Sequence, residues 1–165
     1  MLDTSAIEAL PLDIQIEKAF NKVLRCASAS EQSSLKVQKK LEMQGFCVEA
    51  VEAALEKALR LGVIDDARYA ECLVRSTLLA GKGLRAVRAE IESLGIDIEG
   101  LDSYAEYLEA GEEGDIERAY QFLCMHPTRS KNAYQSCVRK LLNKGYEGDV
   151  IHRATKRYLS EKGMQ

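Results

Sequence analysis

The chain has no tryptophan, two prolines, three phenylalanines and two histidines among 165 residues. So little aromatic and β-favouring material leaves poor raw material for a sheet. The five cysteines (Cys26, Cys47, Cys72, Cys124, Cys137) form no CxxC pair. Together with His126 and His152 they give no metal-ligand spacing. An odd, scattered set of thiols suits a reducing cytosol, where most act as small apolar residues. No run approaches the roughly eighteen apolar residues of a membrane span, and the first residues show no basic-then-apolar leader. These absences predict a cytoplasmic protein with no membrane partner, no metal and no cofactor. No nucleophile–base pair or other catalytic constellation stands out, which predicts a protein that is not an enzyme. The formal net charge of −3 means that any polyanion binding must come from a local basic region.

What the chain does have is a ruler. Gly45, Gly95 and Gly145 stand fifty residues apart, with apolar residues in step around them. Leu41, Ile91 and Leu141 precede them by four, and Val37, Val87 and Cys137 by eight. Phe46, Ile96 and Tyr146 follow by one, and Val51, Leu101 and Ile151 by six. Upstream, Ala19-Phe20, Tyr69-Ala70 and Ala119-Tyr120 share a phase, as do Val23-Leu24, Leu73-Val74 and Leu123-Cys124. Such a period marks one supersecondary unit used three times. The apolar spacing within each unit is helical. The predicted fold is therefore all-α: three tandem three-helix repeats in an elongated, curved monomer, because stacked units touch mainly their neighbours.

The predicted divisions are a lead-in over 1–11, a first repeat over 12–62, a second over 63–110, an acidic linker at 111–114 and a basic third repeat over 115–165. In the first repeat the helical face is Leu12, Ile16, Ala19, Phe20, Val23 and Leu24, and Ser30 is the expected N-cap of the next helix. Gly45, Gly95 and Gly145 are expected to cap helix C-termini through a left-handed φ. Asp65, and fifty residues on Asp115, are expected N-caps, with Asp66 facing the positive end of the helix dipole. A cap and a dipole partner account for Asp65 and Asp66 better than acid–base chemistry does. Arg68, in a first turn where a cation is disfavoured, is expected to pair with Asp65 or another nearby acid. Tyr69, Tyr104, Tyr120, Tyr146 and Tyr158 fall at core phases and are expected to pack rather than to stack on bases.

Charge is unevenly spread. Residues 97–117 hold nine acids and no Lys or Arg, whereas 126–165 hold nine basic residues against three acids, a net of +6. Two groups of cations invite a binding role. Lys82, Arg85 and Arg88 lie in and after the Gly81-Lys82-Gly83 turn. They read equally as a clamp for phosphate or carboxylate and as a solvated helix face. That turn is no P-loop, since the GxxxxGK[ST] spacing is absent. The second group is Lys131, Arg139, Lys140 and Lys144 with the stripe Arg153, Lys156 and Arg157, which reads as a binding surface or as a solubility face.

The stretches Ile64-Asp65-Asp66-Ala67-Arg68-Tyr69-Ala70, Gly81-Lys82-Gly83, Arg88-x-Glu90-Ile91 and Lys40-Leu41-Glu42-Met43-Gln44-Gly45-Phe46 resemble the RecX family over about residues 15–160. Lys140-Leu141 and Lys144-Gly145-Tyr146 look like the family's closing repeat. The chain departs from the family where Gln44 stands for a frequent Lys, Leu84 for a frequent proline, and Glu31-Gln32-Ser33-Ser34-Leu35 for Ser-x-x-Glu-Leu. The resemblance implies a regulator that lies in the groove of a RecA filament on single-stranded DNA and suppresses ATPase, strand-exchange and co-protease activities. The ten cations above would be its contact residues. The competing expectation is a helical module that binds nucleic acid directly, if weakly, through the basic third repeat.

Overall fold

A computed structural model describes Ile7 and residues 9–163. Among the described residues there are nine α-helices, one 3-10 turn and no strand. The helices are α1 (Leu12–Ala29), α2 (Ser34–Glu42), α3 (Val48–Arg60), α4 (Asp66–Leu79) and α5 (Arg85–Ser93), then the 3-10 turn Ile98–Gly100, α6 (Asp102–Glu109), α7 (Gly111–Met125), α8 (Ala133–Asn143) and α9 (Gly148–Glu161). The chain forms two compact units, Met1–Tyr69 and Ala70–Gln165.

The glycine ruler has a direct structural cause. Gly45, Gly95 and Gly145 take φ of 85°, 73° and 83°. In each case the glycine amide donates to the carbonyl three residues back, and the next amide donates to Leu41, Ile91 or Leu141. This paired closure is the Schellman motif, which needs the left-handed conformation that glycine adopts without a Cβ penalty. The residue after each glycine is thereby folded onto the helix it ends. Phe46 and Tyr146 are buried, and Ile96 packs partly buried against its cluster.

Three hydrophobic clusters follow the same phase. The first unit holds one, built on Ala19, Val23, Val37, Leu41, Val51 and Ala54 and joined by Ile7. Ile7 thus anchors part of the lead-in, for which the repeat offered no role. The second unit holds two. One gathers Ala70, Val74, Val87, Ile91 and Leu101; the other gathers Ala119, Leu123, Cys137, Leu141, Ile151 and Tyr158. Not every apolar position of the predicted faces is inside: Leu12 and Leu24 are 48% and 39% exposed. Buried Gln15 takes inner space instead. Its amide donates to the Leu10 carbonyl at 2.9 Å and its oxygen accepts the Cys47 amide at 3.0 Å, pinning the start of α3.

Several helix starts are completed from a distance. Ser33, not Ser30, caps α2 by accepting the Lys36 amide; Ser30 instead ends α1. Asp66 also serves α2, accepting the Ser34 amide at 2.8 Å and its hydroxyl at 2.5 Å. Asp65 accepts the Arg68 amide at 3.0 Å, and the Arg68 guanidinium reaches Glu31 at 2.7 Å. Glu71 accepts the amides of Asp102 and Ser103 at 2.7 and 3.0 Å and so completes the start of α6. A 3-10 turn, Ile98–Gly100, precedes that helix, with Gly100 at the position that Ala50 and Val150 hold in the other repeats; a glycine there weakens a continuous helix.

Two further expectations are corrected. Residues 111–114 are not a linker but the first turn of α7. Gly111, at φ 63°, turns the chain out of α6, and the acids behind it suit a helix N-terminus. Asp115 accordingly lies inside α7 and caps nothing. It is buried, accepts the Tyr107 hydroxyl, and pairs with Arg118 at 2.5 Å. A carboxylate withdrawn from water needs such partners.

Candidate functional site

The ten candidate cations divide by what they already touch. Lys140 donates to the carbonyls of His126 and Pro127 at 2.6 and 3.2 Å, closing the C-terminal end of α7 where its dipole favours a cation. The Lys144 ammonium sits 4.8 Å from the centroid of the Phe122 ring. Arg153 pairs with Glu112 at 3.2 Å and with Glu113. Arg157 pairs with Glu117 at 2.6 Å and Glu161 at 3.2 Å, and lies 4.1 Å over the Tyr120 ring. The acidic stretch thus pairs with two arginines of the basic repeat, Arg153 and Arg157, within one unit. Residue counts along the chain hid this, because α7 and α9 meet only in the fold.

The other candidates differ. Lys82, Arg85, Lys131, Arg139 and Lys156 are exposed, and none has a side-chain hydrogen bond or ion pair among the described residues. Arg88 is half-buried. Its guanidinium donates to the Tyr104 hydroxyl at 2.6 Å and lies 5.3 Å from that ring's centroid. Burial pulls its pKa down, but the Tyr104 hydrogen bond and nearby Glu92 and Glu99 more than offset this, so the charge is firmly held. No carboxylate lies within ion-pair distance of Arg88 among the described residues.

Arg85 and Arg88 border a cleft of about 420 Å³. From α5 and α6 it is lined by Leu84, Arg85, Arg88, Tyr104, Tyr107 and Leu108. From the starts of α7 and α9 it is lined by Gly111, Glu112, Asp115, Glu147, Gly148, Asp149 and Val150. Its remaining lining includes the two glycine turns, which interlock. The Gly83 amide donates to the Lys144 carbonyl at 3.0 Å, and the Tyr146 hydroxyl to the Gly81 carbonyl at 2.9 Å. A Cβ on Gly83 would collide with the Gly145 carbonyl. Gly81-Lys82-Gly83 is therefore a joint as well as a turn. Burial pushes the Tyr146 phenol up to about 12. The Tyr104 and Tyr107 hydroxyls are both engaged at this site, a role that the core phase of Tyr104 did not reveal.

No group of three or more His, Cys, Asp or Glu among the described residues could hold a metal ion. Nor is any helix among them long and apolar enough to cross a membrane. His152 meets Tyr134 at 3.0 Å, and the His126 ring leans on Phe122.

No family model matches the chain. It is 33% identical over 135 residues to the regulatory protein RecX of Stenotrophomonas maltophilia (strain R551-3), spanning 76% of this chain and 78% of that protein. This chain belongs to the RecX family. The regulatory protein RecX of Legionella pneumophila (strain Corby) is 29% identical over 147 residues, spanning 84% of this chain and 93% of that one. A crystal structure of RecX from Lactobacillus salivarius shares the fold, with a TM-score of 0.62 at 21% identity over 88% of this chain and 97% of that chain. RecX relatives are named as regulatory proteins, and the all-helical fold described above is shared with that crystal structure.

Proposed function

We propose that this chain is a cytoplasmic, non-catalytic regulator that binds the RecA filament on single-stranded DNA as a monomer and restrains its ATPase, strand-exchange and co-protease activities. The observation that carries this reading is the set of cations without internal partners: Lys82, Arg85, Lys131, Arg139 and Lys156. Exposed charges left uncompensated suit docking to an anionic partner, where they steer encounter and set register. Arg153, Arg157, Lys140 and Lys144 are engaged within the chain and are withdrawn from the first rank of contacts. Regulation needs no chemistry here. A ligand that prefers one state of a polymer shifts its equilibrium by that difference in affinity.

The test is the RecA ATPase on single-stranded DNA with this protein at sub-stoichiometric dose. Suppression that weakens on charge reversal at Arg85 and Arg139 supports the proposal. An unchanged ATPase, with salt-sensitive binding to naked DNA, would replace it with direct nucleic-acid binding.

A further inference from the structure

The cleft between α5–α6 and the starts of α7 and α9 carries charge of both signs on separate elements. Arg85 and Arg88 stand on α5, without a carboxylate counter-ion among the described residues. Glu112, which already meets Arg153 at 3.2 Å, stands at the start of α7, and Glu147 and Asp149 stand at the start of α9. Asp115 is already occupied by Tyr107 and Arg118. Leu108, Val150 and the rings of Tyr104 and Tyr107 supply apolar surface between them.

We infer that this cleft docks an extended segment of a protein partner, with an acidic side chain on Arg85 and Arg88 and a neighbouring basic side chain on Glu112, Glu147 and Asp149. This deepens the proposed function: it takes filament binding as given and assigns the cleft to the filament's protein rather than to its DNA.

The argument is one of complementarity. Arg88 is half-buried, and Tyr104 holds its guanidinium in place, so little side-chain freedom is lost when a carboxylate arrives. A planar guanidinium matches a carboxylate in a two-pronged geometry. A phosphodiester strand would satisfy the arginines too, but its successive charges would then face three carboxylates across the cleft, and like charges juxtaposed are costly. A peptide can change sign from one side chain to the next; a nucleic-acid backbone cannot. Asp149 beside it pushes the Glu112 carboxyl above its ordinary value, and Arg153 only partly opposes this. An incoming ammonium relieves that repulsion.

The test is solution NMR of the isotope-labelled full chain titrated with three probes: the capped peptide acetyl-Gly-Asp-Gly-Lys-Gly-amide, pentathymidylate, and inorganic phosphate. The peptide is expected to shift the amides of Arg85, Gly111 and Gly148. Pentathymidylate and phosphate should leave them in place. Arg88→Gln is expected to weaken the peptide response by about fivefold or more, as loss of a charged hydrogen-bond partner does. A second variant, Glu112→Gln with Asp149→Asn, changes only exposed groups. It is expected to abolish the preference for this peptide over its Lys-to-Gly analogue. The inference is overturned if pentathymidylate or phosphate shifts the cleft as strongly as the peptide, or if no probe shifts it. A parallel RecA ATPase assay separates the two readings. Peptide binding without any effect on RecA keeps the cleft and removes the filament as its partner. Equal ATPase suppression by the parent and Arg88→Gln removes the cleft from filament binding.

Discussion

The backbone amide of Gly83 donates to the backbone carbonyl of Lys144 at 3.0 Å, so two glycine turns from successive repeats meet main chain to main chain. No side chain fits between them: a Cβ on Gly83 would lie 2.8 Å from the Tyr146 amide nitrogen and closer still to the Gly145 carbonyl. Gly83→Ala is therefore expected to cost about 1–3 kcal/mol, the range for overpacking a tight contact. Gly100 has open space around the same position, and Gly100→Ala is expected to be neutral or to stabilise by up to about 1 kcal/mol. Urea melts of both variants check this; equal effects would refute the joint.

Tyr146 reinforces that joint, and its ionisation is expected to loosen it. Burial raises the phenol from its ordinary value of 10.0 to about 12. A raised native pKa gives stability that is fully present below pH 10 and is lost as pH climbs through the native value. Tyr146→Phe should remove this part of the alkaline loss and cost about 1 kcal/mol at neutral pH through the bond to Gly81. Melting temperature against pH, parent beside variant, reads both effects.

Glu71 gives the opposite sign. Burial pushes its carboxyl up, but the hydrogen bonds from Ser103 and Asp102 and the charge of Arg75 outweigh burial and hold it below 4.5. A depressed native pKa gives stability that is present above the unfolded value and is lost as pH falls through the native one. Glu71→Gln is expected to flatten the pH dependence in that acid window. It should also weaken the start of α6 by about 1 kcal/mol, as loss of a helix cap does. Urea midpoints at several pH values below neutrality test it.

Asp115 holds two partners in a buried place. Asp115→Ala leaves Arg118 without its counter-ion and Tyr107 without its acceptor. The expected cost is about 3 kcal/mol, the scale for removing one member of a buried pair. Tyr107→Phe, which leaves the ion pair intact, should cost about 1 kcal/mol. A thermal melt followed by circular dichroism compares the two, and similar losses would count against the assignment.

Cations with and without internal partners should separate in function. Arg139→Glu with Lys156→Glu is expected to weaken suppression of RecA ATPase by about fivefold or more, since both charges face solvent unpaired. Arg157→Gln removes a charge already spent on Glu117 and Glu161, and should leave suppression close to that of the parent. A dose series on one filament preparation distinguishes them; equal losses would mean that the internal pairs open on binding.

The helices, their glycine ends and most core positions were legible because their causes are local. Leu41 and Gly45 lie within one turn of each other, and a Schellman closure is written in adjacent residues. The same holds for Asp65 and Arg68. What the sequence concealed depends on distant partners. The acids around Glu113 look like a linker until α9 brings Arg153 beside them. Asp115 shares its phase with Asp65, but Tyr107 and Arg118 draw it inward. Leu12 and Leu24 keep helical spacing yet face solvent, while Gln15 takes inner space because its amide has two backbone partners. The cleft beside Arg88 is built from segments of two repeats, so no single stretch announces it.

The first two turns of α4 carry two acids with obligations in opposite directions along the chain. Asp66 completes a helix that began thirty-two residues earlier, and Glu71 completes one that begins thirty-one residues later. Duplication can multiply a brick, but here the mortar crosses from one to the next. A chimera assembled from relatives and cut at the glycine spacing would strand both acids. Viable crossovers must let Asp66 travel with Ser34 and Glu71 with Asp102, which restricts how such a gene can be reshuffled.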